Sequence, residues 1–257
     1  MTLNRSRYKA LFSSDWSECL SPNGPFDPIS FTHPQLTNEL VTIFQQYTGN
    51  IITLTQATHR ISELLPGPMS VDQMDAYLDC SFRTYKGVPN LIEWCLSNDI
   101  LFMLNTTGSQ GYFQRAIAKQ LLPEIPVIAA NPFVRFPGND DKKRFACQVL
   151  EISDKGKCTE FVLDRLRMSA SQAFLMGDSG GDGGHFKWGF QAGAFLIGSM
   201  TKASLKSFCL KESIEINFQF GMRYEPGEPR DPDKEMEFDF MELTETIQKT
   251  LYQIAKH

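Results

Sequence analysis

The chain has no Cys-x-x-Cys pair, no lysine and arginine cluster, and no apolar run near the roughly 18 residues a membrane helix needs. Each absence removes a class. Its six cysteines, Cys19, Cys80, Cys95, Cys147, Cys158 and Cys209, are scattered over 257 residues, which excludes a small disulfide scaffold and predicts reduced thiols in the cytoplasm. The first residues lack the apolar core of a signal peptide, because Tyr8 to Phe12 run at once into two serines and Asp15. A formal charge of -5 without a basic patch argues against nucleic acid as a partner. Phosphate-bearing small molecules stay open, since local rather than net charge decides their binding.

With 42% apolar residues the chain can bury a full core. Short apolar runs at Tyr8–Ser13, Ile100–Asn105, Ile125–Ala130, Ala173–Gly177 and Ala194–Ile197 read as strands. Pro89–Ser97, Gly111–Leu122 and Cys158–Leu166 read as the helices between them. This alternation predicts an α/β fold, a doubly wound parallel sheet. Residues 21–85 break the pattern: a proline-rich entry is followed by three amphipathic helices, with Leu36, Leu40, Ile43, Phe44 and Tyr47 as one apolar stripe and Val71, Met74, Leu78 and Phe82 as another. The expected division is a core of residues 1–20 and 86–257 and a small all-helical cap of residues 21–85. Arg223 to Glu237, rich in proline and acid, reads as a solvated loop before a closing helix, Met241–Ile254.

Ligands of such sheets bind beyond the carboxyl ends of the strands. The first strand delivers Asp15 there. The second delivers Asn105-Thr106-Thr107-Gly108-Ser109, ahead of a helix whose free N–H groups suit an anion. Ser153-Asp-Lys155-Gly-Lys157 opens a later helix, and Ala173-Phe-Leu-Met-Gly177 runs into Asp178 and Asp182 on a glycine-rich loop. Three carboxylates at close range raise one another's pKa unless cations offset them. Magnesium suits the set, because it takes one or two carboxylates and also accepts phosphate oxygens. Phosphoryl transfer follows, with Asp15 as the nucleophile and Thr106, Lys155 and the metal holding the transferring group.

Rival motifs fail in context. Gly177-Asp-Ser-Gly-Gly181 matches the nucleophile segment of trypsin-like proteases, and Ala57-Thr58-His59 resembles their histidine motif, yet that fold is all-β and His59 lies in a helical stripe. Asp178-x-x-x-Asp182-Gly183 is no EF-hand, because its twelfth position is Gly189. No Gly-x-Gly-x-x-Gly follows the first strand. His185 and Trp188 read as packing residues.

The order strand-Asp15, Thr106, Lys155, Gly177-Asp-Ser-x-x-Asp182 resembles the haloacid dehalogenase superfamily, in the branch of phosphoserine phosphatase-like enzymes with a helical cap after the first motif. The resemblance implies a magnesium-dependent phosphatase of a small phosphorylated metabolite, acting through an aspartyl-phosphate. It further implies a metal held by Asp15, the Ser17 carbonyl and Asp178, with Asp182 supporting, and a phosphate held by Thr106 or Thr107, Gly108 and Lys155 or Lys157. One departure stands out. The family phosphatases carry Asp-x-Asp in the first motif, the second aspartate being the general acid; this chain has Asp15-Trp16-Ser17. Three outcomes are open: a substrate with a good leaving group, another proton donor (Glu18, His185 or a cap residue), or a relative that binds a phosphate ligand or a protein without turnover.

Overall fold

The computed structural model describes residues 7–138, 144–254 and 256. Seven parallel strands form one sheet in the order β4-β3-β2-β1-β5-β6-β7. They are β1 (Ala10–Ser14), β2 (Ile100–Ser109), β3 (Val127–Asn131), β4 (Phe145–Gln148), β5 (Ala173–Gly177), β6 (Phe195–Thr201) and β7 (Phe218–Arg223). The expected doubly wound sheet is present. Its central strands read as unbroken apolar runs because helices cover both faces of a parallel sheet. Phe12 of β1 stacks on Phe102 of β2 and Phe174 of β5, with ring centroids 5.5 and 6.2 Å apart.

The two strands that composition did not reveal, β4 and β7, lie at the edges. Edge strands are short or half exposed and need no continuous apolar run. Among the described residues four helices also escaped notice, Asp27–Thr32, Gly183–Ala192, Ala203–Lys211 and Pro232–Glu235; the second is glycine-rich. Its glycines serve contact: a Cβ on Gly183 would strike the Phe208 ring, and one on Gly189 would strike Leu175 and Leu196.

The crossovers and flanking helices are α5 (Val88–Ser97), α6 (Gln110–Ala118), α7 (Asp154–Leu166), α8 (Gly183–Ala192), α9 (Ala203–Lys211), α10 (Pro232–Glu235) and α11 (Leu243–Ile254). Between β1 and α5 come α1 (Asp27–Thr32), a 3₁₀ turn (Pro34–Leu36), α2 (Thr37–Thr48), α3 (Leu54–Leu64) and α4 (Val71–Ser81). Capping boxes start α3 and α4: the Thr53 hydroxyl accepts from Gln56 N–H and the Ser70 hydroxyl from Gln73 N–H, while each glutamine side chain accepts in return. Leu40, Ile43 and Tyr47 form the buried face of α2, which packs on α3 and on the turn at 180–182. Arg115 of α6 holds Asp75 of α4 through two 2.7 Å hydrogen bonds.

The stretch Arg223 to Glu237 corrects an expectation. It is not a solvated loop throughout: Tyr224 and Glu235 are buried, and Arg230 bonds Glu235, Glu18, Tyr85 and the Pro22 carbonyl. A single arginine can bring acidic sequence inward by neutralising it there, which local composition does not disclose.

Candidate active site

Strand register builds the site. Ser14 pairs with Leu104 and with Met176, so Asp15, one step on, lies beside the last residue of β5, and its N–H donates to the Met176 carbonyl at 3.0 Å. The order of the sheet reverses at β1, whose neighbours β2 and β5 lead to opposite edges. Such a reversal opens the crevice in which these folds bind ligands. Asp15, Asp178 and Asp182 meet in it, all buried, with one carboxylate oxygen from each lying within 4.8 Å of the others. Two halves of the chain, more than 160 residues apart, thus supply one acidic cluster.

Lys155 stands in their midst, its side chain wholly buried, with Nζ 2.6 Å from Asp182 Oδ1 and 3.3 Å from Asp15 Oδ2. Burial opposes its charge, but Asp15 and Asp182 more than compensate and raise its pKa. Asp182 is fully satisfied. Its second oxygen accepts the N–H groups of Asp178 at 2.9 Å and Ser179 at 3.2 Å. Burial would lift its pKa, yet Lys155 and these two N–H groups hold it below the ordinary value.

Asp15 and Asp178 differ. Asp15 Oδ1 and both oxygens of Asp178 are buried without a hydrogen bond. Lys202 Nζ lies 2.8 Å from Asp178 Oδ2 and forms an ion pair with it. Burial raises the pKa of both carboxyls, Asp178 the further. Lys202 also pairs with Glu18, which Arg230 binds from the other side, and Arg230 in turn binds Glu235. Five carboxylates, Asp15, Glu18, Asp178, Asp182 and Glu235, therefore face three cations, Lys155, Lys202 and Arg230, leaving a formal charge of -2. Unsatisfied hard oxygens and a double negative charge fit a divalent cation.

The remaining expected residues are placed as follows. The Thr106 side chain faces the Asp15 carboxyl, and its hydroxyl accepts the Gly108 N–H at 3.1 Å. Thr107 points elsewhere, its hydroxyl 2.7 Å from Tyr47 Oη of α2. Lys157 is exposed and pairs with Asp154 at 2.9 Å, so of the two lysines it is Lys155 that joins the cluster. A Cβ on Gly108 would stand 3.3 Å from Thr106 Oγ1 and 3.6 Å from Ser17 Oγ, which sets all three at one spot. Thr106, Thr107, Gly108 and Ser109 precede the helix, α6, by up to four positions, and one first-turn N–H, that of Gly111, is already bound to the Val134 carbonyl at 2.7 Å.

Of the substitute proton donors, Glu18 and His185 fail on electrostatics. Burial would raise the Glu18 pKa, but Lys202 and Arg230 lower it overall, so the group is a carboxylate near neutrality. His185 is buried beside Thr159, Nε2 to Oγ1 at 2.8 Å, and burial with Lys155 nearby lowers its pKa to about 3. The Cys19 thiol, pushed far up by burial and the three aspartates, stays protonated and is no nucleophile.

Reading by motif missed several groups. Asn105 Nδ2 donates to the Lys155 carbonyl at 2.8 Å and to Thr159 Oγ1 at 3.0 Å, so it fixes the helix that presents the lysine. Lys202 follows β6 directly and its N–H donates to the Asp178 carbonyl at 2.8 Å. The strand-end rule would have found Lys202 had β6 been carried on to Thr201. Tyr47 is an ordinary member of an apolar stripe in sequence, and only folding turns its hydroxyl toward Thr107.

Comparison with family models and with curated protein sequences finds no match. Solved structures do match. A phospho-aspartyl intermediate analogue of phosphoserine phosphatase superposes with a TM-score of 0.64 at 15% identity, over 93% of this chain and 99% of that one. A substrate-bound phosphoserine phosphatase gives 0.60 at 18% identity, over 81% and 93%. A haloacid dehalogenase family hydrolase from Salmonella enterica serovar Typhi gives 0.59 at 15% identity, over 82% and 67%. The chain has the haloacid dehalogenase fold. At these identities the likeness concerns the fold; the chemistry of this haloacid dehalogenase-like chain has to be argued from its own residues.

Proposed function

We propose that the protein is a magnesium-dependent phosphatase that hydrolyses a small phosphorylated metabolite through an aspartyl-phosphate on Asp15. The observation that carries this reading is the pair of buried, hydrogen-bond-starved carboxylates, Asp15 and Asp178, beside a lysine that neutralises a third. Asp15, Asp178 and the Ser17 carbonyl would hold the ion, with Asp182 supporting. Magnesium when bound supplies charge for the phosphate oxygens and offsets repulsion between phosphate and Asp15. Asp15 supplies the attacking oxygen, Thr106, Gly108 and Lys155 hold the phosphoryl group, and Lys155 also offsets the charges of Asp15 and Asp182. Thr107 takes part through Tyr47, which ties it to α2.

The division expected from sequence belongs to this reading: residues 1–20 and 86–257 form the core and residues 21–85 the cap that closes on the substrate. Free, mostly buried cysteines suit the cytoplasm. Among the described residues no helix is long and apolar enough to cross a membrane. The shared fold of phosphoserine phosphatases, one of them solved as a phospho-aspartyl analogue, supports the reaction class.

The deciding experiment is phosphate release from an aryl phosphate by the purified protein with magnesium, with EDTA, and with Asp15→Asn. Release that requires magnesium and falls at least about 10³-fold in the variant is expected, since the nucleophile is gone. Undiminished release by a pure, folded Asp15→Asn sample would end the proposal. The one feature that favours a second reading, a relative that binds phosphate without turnover, is Ser17; the same assay separates the two.

A further inference from the structure

Two narrow clefts, each of about 10 Å³, open beside the proposed phosphate position. One runs from Thr107 and Ser109 past Phe26, Ile29, Met69, Met74, Phe133 and Val134. The other runs from Ser17 and Gly108 past Trp16, Tyr112 and Phe113. They meet at Pro25, Pro28 and Ser109. Among the described residues no charged side chain lines either cleft. Part of the polar lining is already engaged, whereas the Trp16 indole N–H and the Tyr112 hydroxyl are buried without a hydrogen-bond partner. Asn131 spends its amide on the Val149 carbonyl at 3.0 Å and on the Phe133 N–H at 2.8 Å, Thr58 donates to the Thr55 carbonyl at 3.1 Å, and Thr107 is tied to Tyr47. Arg115, the cation of the adjoining helix, is locked onto Asp75.

A leaving group seated here meets no counter-charge in the lining, and the free hydrogen-bonding groups it finds are the Trp16 N–H and the Tyr112 hydroxyl. The ammonium and carboxylate of an amino acid would be desolvated without a counter-charge, and the several hydroxyls of a sugar outnumber these two groups. Aromatic and sulfur-bearing walls suit a planar apolar group instead. A separate observation points the same way: by the resemblance to haloacid dehalogenase phosphatases Ser17 takes the place of the general acid, while Glu18 is bound by both Lys202 and Arg230 and the buried His185 ring is held on Thr159. An alcohol of ordinary basicity leaves poorly without such help, whereas a phenol or enol leaves as its anion.

Resting on the proposed phosphatase reading, we infer that the substrate is the phosphate ester of an uncharged, largely apolar aryl or enol group, not an amino acid or sugar phosphate. An Asp15 carboxylate oxygen bonds to phosphorus as the phosphorus–oxygen bond to the leaving group breaks. The leaving oxygen departs with the bonding pair and takes its proton from solvent. Water then cleaves the acyl phosphate, restoring the Asp15 carboxylate and releasing inorganic phosphate.

Binding of stable phosphonates to the magnesium-loaded full chain separates pocket preference from the intrinsic reactivity of aryl esters. Phenylphosphonate should bind at least about 10-fold more tightly than 2-amino-3-phosphonopropanoate, the phosphonate analogue of phosphoserine. Phe133→Lys, at a half-buried position, should narrow that gap while leaving inorganic phosphate binding within about twofold. In turnover, rates across substituted phenyl phosphates should rise steeply as the phenol becomes more acidic, and Ser17→Asp should flatten the dependence. Equal or tighter binding of the amino acid analogue by the wild type overturns the inference whatever the variant does. Acetyl phosphate, whose leaving group needs no pocket, is the control for the underlying reading. If it phosphorylates Asp15, as read by mass spectrometry, and the phosphonate preference is absent, the leaving-group inference alone falls. If Asp15 is not phosphorylated, the phosphatase reading falls and takes this inference with it.

Discussion

Lys155 is the residue on which the acidic cluster depends, because among the described residues no other cation pairs with Asp182, whose carboxylate is buried beside it. Replacing it by methionine keeps the volume but strands a charge. Breaking a buried pair from one side costs about 3–5 kcal/mol, so Lys155→Met should lose about that much in urea unfolding at pH 7.5; a loss below 1 kcal/mol would show the pair to be expendable. Ser17 works in the opposite sense. General acid catalysis is worth about 10²- to 10⁴-fold, and Ser17→Asp should raise turnover of an alkyl phosphate by at least the lower end of that range. His185, whose pKa is lowered from 6.5 to about 3, makes the folded chain bind one proton fewer than the unfolded chain between those values. Stability it confers is therefore complete above pH 6.5 and lost as the pH falls toward 3, at up to about 1.4 kcal/mol per unit. His185→Gln should flatten the slope of stability against pH between 6 and 4 by that amount.

At the scale of elements, α2 is the one that couples the helical insert to the chemistry. Its last turn meets the loop that carries Asp178 and Asp182: a Cβ on Gly180 would strike the Thr48 carbonyl, and one on Gly181 would come within 3.0 Å of Tyr47 Oη. Backbone cannot yield as a side-chain tip can. Gly180→Ala should thus displace α2 or the loop and lower affinity for a phosphate mimic such as beryllium fluoride, while Tyr47→Phe, which removes one hydrogen bond, should cost only about 1 kcal/mol of stability. Equal, small effects from both would mean that the contact between α2 and the loop is incidental.

Over the whole molecule, the cluster of charges spans β1, β5, β6, α7 and the segment ahead of α10, so an ion bound there clamps distant parts of the chain at once. A ligand that binds only the folded state stabilises it by about 2.7 kcal/mol at 100 times its Kd. Saturating magnesium should accordingly raise Tm by several degrees in the wild type, and Asp178→Asn should abolish the shift. A wild-type Tm indifferent to magnesium would argue against a metal site. The same span explains what motif reading saw and missed. Asp15, Lys155, Asp178 and Asp182 were legible because each follows a strand or opens a helix, positions with a local sequence signal. Glu18, Lys202 and Arg230 were not, since each is ordinary in its own neighbourhood and acquires meaning only from a partner far away in sequence.

The alternation of apolar runs with helical periods was enough to determine a parallel, doubly wound sheet, because the side-chain period and the covering of both faces are properties of short segments. The placing of a carboxylate after β1 and of two after β5 was likewise local. Which threonine and which lysine enter the site, what lines the space beside it, and that Arg223 to Glu237 folds inward were decided only by tertiary structure. Burial and charge pairing are relations between segments, and no single segment carries them.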